Sequence, residues 1–208
     1  MGNEVPNPLP LIDWGVATLA LPGQAESGDR GVVKPFPNGV LVAVVDGLGH
    51  GQEAAAAAKI AAEKVERYAH ESVITLLRRC HERLKATRGV VMSLVSFNAR
   101  NATLTWLGVG NVEGVLLRAN VNARPARESL LLRGGVVGYQ LPPLRTSVLP
   151  VTRGDTLIFA TDGIRDGFAE GLPLSDPPQH IADRILVQHG KGTDDALVLV
   201  ARYVGLAP

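Results

Sequence analysis

The 208-residue chain is poor in the residues that mark several common classes: it has one cysteine, two tryptophans and 4% aromatic residues, and its 21 basic and 20 acidic side chains leave a formal charge of +1. A lone thiol can neither close an intramolecular disulfide nor build a multi-thiolate zinc cage, so a reducing, cytoplasmic setting is expected. A near-neutral balance gives no bulk attraction to phosphate polymers, and scarce rings give no stacking platform, so nucleic acid is not an expected partner. The apolar run at residues 39–45 (Gly-Val-Leu-Val-Ala-Val-Val) is far short of the roughly 20 residues a bilayer-crossing helix needs, and no membrane partner is expected either. Residues 1–10 have neither the cationic nor the apolar region of a signal peptide. Residues 1–12 read as a proline-stiffened lead-in, and 13–208 as one domain. There is no Gly-x-Ser-x-Gly elbow, Walker A loop or His-Glu-x-x-His helix, and the stretch from Gly47 to Gly51 lacks the third glycine of a dinucleotide fingerprint, having Gln52 there.

What is present is a clear division into strands and helices. Gly15–Ala20 reads as a first strand, and Val40–Val45, an unbroken aliphatic run between Asn38-Gly39 and Asp46-Gly47, as a strand covered on both faces. From Gln52 to Ala69 the period changes: Ala54, Ala57, Ala58, Ala61, Val65 and Tyr68 recur at helical spacing, with charges opposite. Val73, Leu76, Leu77, Cys80 and Leu84 form the stripe of a second helix. The spacing then predicts strands at 90–97, 103–109, 112–118 and 130–132 as an antiparallel meander, a strand at 156–160, a helix at 177–189 and a closing strand at 196–204. Helices in an early and a late clump around a block of strands favour an α+β sandwich over an alternating βαβ wind. Cys80, Trp14 and Trp106 read as packing residues.

Chemistry concentrates at strand ends. Two of the most apolar strands end alike, in Val45-Asp46-Gly47 and Thr161-Asp162-Gly163, and a third pair, Asp194-Asp195, precedes the last strand. If that last strand runs antiparallel to the other two, the carboxylates lie at one edge of the sheet, with Asp29 of Ser27-Gly28-Asp29 close enough in sequence to join them. One Asp-Gly alone is most simply a turn; three acids at the ends of buried-type strands are harder to explain that way. Two like charges about 4 Å apart repel by about 4 kcal/mol at an effective dielectric of 20, so such a cluster calls for protons, basic partners or cations. Oxygen ligands without neighbouring His or Cys suit Mg²⁺ or Mn²⁺, and a pair of such ions can activate a water for attack on phosphorus. A glycine after each aspartate lets backbone approach an ion and offer a carbonyl.

The segments Asp46-Gly-Leu-Gly-His-Gly51, Thr161-Asp162-Gly163 and Asp194-Asp195, with Ser27-Gly28-Asp29 upstream, resemble in order and spacing the signature of metal-dependent protein serine/threonine phosphatases of the protein phosphatase 2C type, in their SpoIIE-like branch. The resemblance spans roughly residues 25–204 and takes in Gly108-Val-Gly-Asn-Val112. It implies an α-β-β-α four-layer sandwich of two mainly antiparallel sheets flanked by helices, with two Mn²⁺ or Mg²⁺ ions in a cleft at one end. It also implies roles: Asp46 bridging the ions with help from the Gly47 carbonyl, Asp162 and Asp194 completing the catalytic set through the metals, Asp29 contributing directly or through water, and Asp195 standing behind them. Under it the substrates would be phosphorylated stressosome scaffold and co-antagonist proteins, and the reaction would reset a stress signal. The alternative is a catalytically silent binding module of the same fold. His50 reads either as a proton donor to the leaving oxygen or as a solvated loop residue, and Arg30 either as a phosphate contact or as a partner of Asp29.

Overall fold

The computed structural model describes residues 10–120 and 122–205. Ten strands and three helices follow in the order β1 (Ile12–Leu19), β2 (Asp29–Phe36), β3 (Gly39–Gly47), α1 (Gln52–Arg67), α2 (Val73–Leu84), β4 (Val90–Asn98), β5 (Thr103–Val109), β6 (Glu113–Leu117), β7 (Arg127–Ser129), β8 (Ser147–Pro150), β9 (Thr156–Ala160), α3 (Pro178–His189) and β10 (Ala196–Tyr203). The strands form two five-stranded sheets, ordered β1-β10-β9-β6-β7 and β2-β3-β4-β5-β8, with antiparallel pairing throughout.

Alternation along each strand builds the layers. On β3, Leu41, Ala43 and Val45 pack with α1 and α2, while Val40, Val42 and Val44 face the other sheet. On β10, Leu197, Leu199 and Ala201 meet that inter-sheet core, and Ala196, Val198 and Val200 pack on α3. The result is the four-layer order helices, sheet, sheet, helix that the family resemblance implied. Both faces of these central strands are buried, which is why they read as unbroken apolar runs.

Three expectations need correction. The strands from Val90 onward are not one meander: β4 and β5 pair, but the chain then crosses to the other sheet, where β6 pairs with β7 and β9. The crossing is made at Gly110, with φ 97°, where a Cβ would meet the Val91 side chain at 2.2 Å. Second, Leu130–Leu132 is not a strand. Its neighbour Arg127–Ser129 is, and Leu130 instead fills the inter-sheet core. Third, β2 and β8 had no strand signal. Each carries a proline, Pro35 or Pro150, and each lies at an edge of its sheet, where a missing N–H breaks no central ladder. Trp106 is buried as expected, but Trp14 on the edge strand β1 is half exposed. Of the lead-in, residues 1–9 lie outside the described residues, and Leu11 and Ile12 are buried at the start of β1.

The β1 edge is closed by α3. The Gln179 side chain accepts a hydrogen bond from the Val16 N–H at 3.0 Å and donates one to the Val16 carbonyl at 2.8 Å. Contact there is so close that a Cβ on Gly15 would lie 2.3 Å from the Gln179 Cα. Gly15→Ala is therefore expected to push α3 off the sheet and cost about 1–3 kcal/mol, seen in urea denaturation as a lower midpoint at unchanged slope.

Candidate metal centre

The same alternation aims the acids. Asp46 lies in register with Val40, Val42 and Val44, so its side chain leaves β3 towards the opposite sheet. Asp29 is its directly paired partner on β2. From the other sheet, Asp162 follows β9, and Asp194 and Asp195 precede β10, which is antiparallel to β9. All five carboxylates line one cleft of about 250 Å³. The acids meet at the matching ends of two stacked sheets, as the family resemblance implied, rather than along one edge of a single sheet, as the strand ends alone suggested.

The cluster is held in place by neutral donors. Asp195, 4% exposed, accepts from the Leu21 and Gly28 amides, each at 2.7 Å, and so anchors the loop that leads into Asp29. The Thr161 hydroxyl donates to Asp29 at 2.8 Å and accepts from the Leu197 amide at 2.8 Å, a link between the sheets. The Asn111 amide donates to Asp162 at 2.9 Å. Lys191 reaches only the Asp162 carbonyl, at 2.5 Å, and Arg30 bonds the Ser27 and Asp29 carbonyls and pairs with Glu26 rather than with the Asp29 carboxylate. His50 lines the cleft at its exposed rim. In the sequence Asn111 and Thr161 stand only as members of longer motifs. An amide and a hydroxyl next to Gly and Asp carry no signal of their own.

Gly47 is not among the residues lining the cleft. A Cβ there would lie 2.2 Å from the Ala54 carbonyl oxygen on α1, and one on Gly163 would lie 2.0 Å from the Asp195 carbonyl oxygen. Both glycines let backbones close together around the acids.

Burial first, and then the neighbouring carboxylates, push Asp46 up from 3.8 to about 8. Asp29 rises from 3.8 to about 7, chiefly through burial; the Thr161 hydrogen bond works against the shift and the other aspartates add to it. These carboxylates fit hard divalent cations by donor chemistry: five oxygen-bearing acids share a cleft whose lining contains no lysine or arginine. They do not form a finished cage, because among the described residues no three His, Cys, Asp or Glu side chains are grouped as ligands of one ion. The acids border a common space across which ions and side chains would have to close.

Two stacked antiparallel sheets flanked by helices, with this acidic cleft at their ends, are the architecture of a phosphatase domain of the protein phosphatase 2C type. The chain belongs to the SpoIIE family (Stage II sporulation protein E), whose sequence profile matches residues 37–204. Among curated proteins it is similar to phosphoserine phosphatase RsbX of Bacillus subtilis (strain 168), at 29% identity over 144 residues, 68% of this chain and 69% of that protein. Among solved structures it is similar to a chain from a structure of the bacterial stressosome, a modular system adapted to control secondary messenger signalling. That match has 30% identity and a TM-score of 0.83, covering 92% of this chain and 99% of the other. RsbX in complex with magnesium matches at 25% identity and a TM-score of 0.76, over 92% of this chain and 94% of that one.

The raised carboxyls set a pH dependence. In the folded, metal-free protein Asp29 and Asp46 keep protons that the unfolded chain releases near 3.8, so their stabilising contribution is full below about pH 4 and is lost as pH rises to about 7–8. Metal-free Tm is expected to fall between pH 5 and pH 8, with a shallower fall in Asp46→Asn. The Tm gained on adding MgCl₂ should grow over the same interval, because cations compete with those protons.

Proposed function

We propose that the chain is a metal-dependent phosphoprotein phosphatase that removes phosphate from serine or threonine of cytoplasmic stressosome proteins and so resets a stress signal, with residues 13–208 as its catalytic domain. The observation that carries this reading is the convergence of Asp29, Asp46, Asp162, Asp194 and Asp195 from both sheets on one cleft. Similarity to a phosphoserine phosphatase and to a stressosome chain supports the substrate class.

In this reading Asp46, Asp162 and Asp194 would hold two Mg²⁺ or Mn²⁺ ions with Asp29 assisting, and the Gly47 carbonyl, from a residue outside the cleft lining, would have to turn towards the cleft to join them. Bound there, such ions supply charge neutralisation and an acidified water for in-line displacement at phosphorus. The chain's own work is to position. Asp195 fixes the 21–28 loop, Thr161 fixes Asp29 against β10, and Asn111 orients Asp162. In this reading exposed His50, which lines the same cleft, serves as proton donor to the leaving serine or threonine oxygen.

Turnover of p-nitrophenyl phosphate should depend on Mn²⁺ or Mg²⁺ and fall by more than about 100-fold in Asp46→Asn and in Asp162→Asn. Asp162→Asn should leave metal-free thermal stability intact, since it removes one of several repelling charges. Metal-independent turnover, or none above the Asp46→Asn control, would leave a silent binding module as the better account.

A further inference from the structure

Away from the cleft, the outer face of the α1–α2 hairpin carries a groove of about 490 Å³ lined by Lys64, Tyr68, Arg78, Arg79, Glu82 and Arg83. Its floor is the Tyr68 ring, with the Arg79 guanidinium 4.6 Å, the Arg67 guanidinium 5.5 Å and the Lys64 ammonium 5.6 Å from its centroid. Arg79 is pinned by Glu71 at 2.6 Å, and Glu82 is taken up by Lys85 at 2.6 Å. Arg78 and Arg83 are exposed and have no carboxylate partner among the described residues. On a chain of net charge +1 whose cleft is lined by acids, this is a local concentration of positive charge.

We propose that this groove docks an acidic segment of the phosphoprotein substrate, an inference that rests on the phosphatase reading of the cleft. Arg78 and Arg83 can meet carboxylates without first giving up an ion pair, beside cations already gathered around Tyr68, and paired surfaces of opposite sign set partner choice and encounter rate. Nucleic acid fits less well, because the groove lining holds a single ring for bases to stack on and three cations already lie within 5.6 Å of its centroid. A membrane surface fits less well too: the large exposed apolar side chains are Trp14, Leu19, Leu131, Tyr139, Val148 and Val187, none of them on α1 or α2.

The hairpin also sets the spacing. α1 starts beside the cleft, just after His50, and at about 1.5 Å per residue Lys64 lies about 18 Å further along from Gln52. α2 returns towards the cleft, where Arg88 beyond its end pairs with Glu53 in the first turn of α1. The groove therefore runs from about that distance at Lys64 back along α2 to Arg83; an extended peptide covers about 18 Å with about six residues, so an acidic stretch that follows a phosphoserine in the cleft by up to about eight residues reaches it.

The test uses the full chain with Mn²⁺ and two phosphoserine peptides, each with a seven-residue spacer followed by four glutamates or four glutamines. The glutamate peptide should have a kcat/KM about tenfold higher, carried by KM and erased by high salt. In the Arg78→Glu, Arg83→Glu double variant that preference should vanish, with p-nitrophenyl phosphate turnover unchanged. Equal kcat/KM for the two peptides, or a preference that survives the double substitution, overturns the docking site. If the wild-type chain does not turn over p-nitrophenyl phosphate, it is the catalytic reading that fails. Fluorescence anisotropy with a labelled decaglutamate then decides the groove alone: binding lost in the double variant supports it, and equal binding to both proteins overturns it. Tighter binding of single-stranded RNA or phosphatidylserine vesicles than of decaglutamate also overturns it.

Discussion

Five carboxyl side chains sharing a cleft of about 250 Å³, with no lysine or arginine in its lining, form an arrangement that the unfolded chain would disperse and that the fold holds together. Much of the surrounding detail follows from that constraint. The backbones must pack closely enough to confine the acids, which is why glycines stand where β3 meets α1 and where the turn after Asp162 meets Asp195. The hydrogen-bond donors must be present without neutralising the cluster, and those supplied are amides and a hydroxyl. Asp195 spends both carboxylate oxygens on loop amides and is 4% exposed, whereas Asp162 stays open to solvent with a single amide donor. The electrostatic tension that remains appears in Asp29 and Asp46, which retain protons far above the usual carboxylate range.

The α1–α2 hairpin links this constraint to the outer surface. Its alanine-rich inner face, including Ala54, Ala57, Ala58 and Ala61, allows a close approach to the sheet, and its first turn closes on Gly47. Its outer face carries the cationic groove, which runs from the last turns of α1 back along α2. Cys80 lies between the two helices and the sheet as a core residue, its thiol pushed up to about 12 by burial. The hairpin thus connects a cleft lined by carboxyls to a surface that presents cations.

Much of this was legible in the residues, and the failures have identifiable causes. The aliphatic runs of β3, β9 and β10 and the helical stripes of α1 and α2 fell where the apolar period placed them, because each buries one or both faces. Edge strands β2 and β8 were silent, since a strand paired on one side tolerates proline and needs no continuous apolar run. Thr161 and Asn111 went unnoticed as individual residues, since their importance comes from neighbours distant in sequence.

The sequence by itself determined which strands are buried and that each of three has aspartate at one terminus, because strand periodicity and the residues that flank a strand are local properties. The resemblance carried by those motifs supplied the family and its four layers. Only the tertiary structure decided that Asp46 and Asp162 face each other from separate sheets. That depends on the chain crossing back to the other sheet between β8 and β9 and on the in-out parity of residues far apart in sequence, and no local pattern records either.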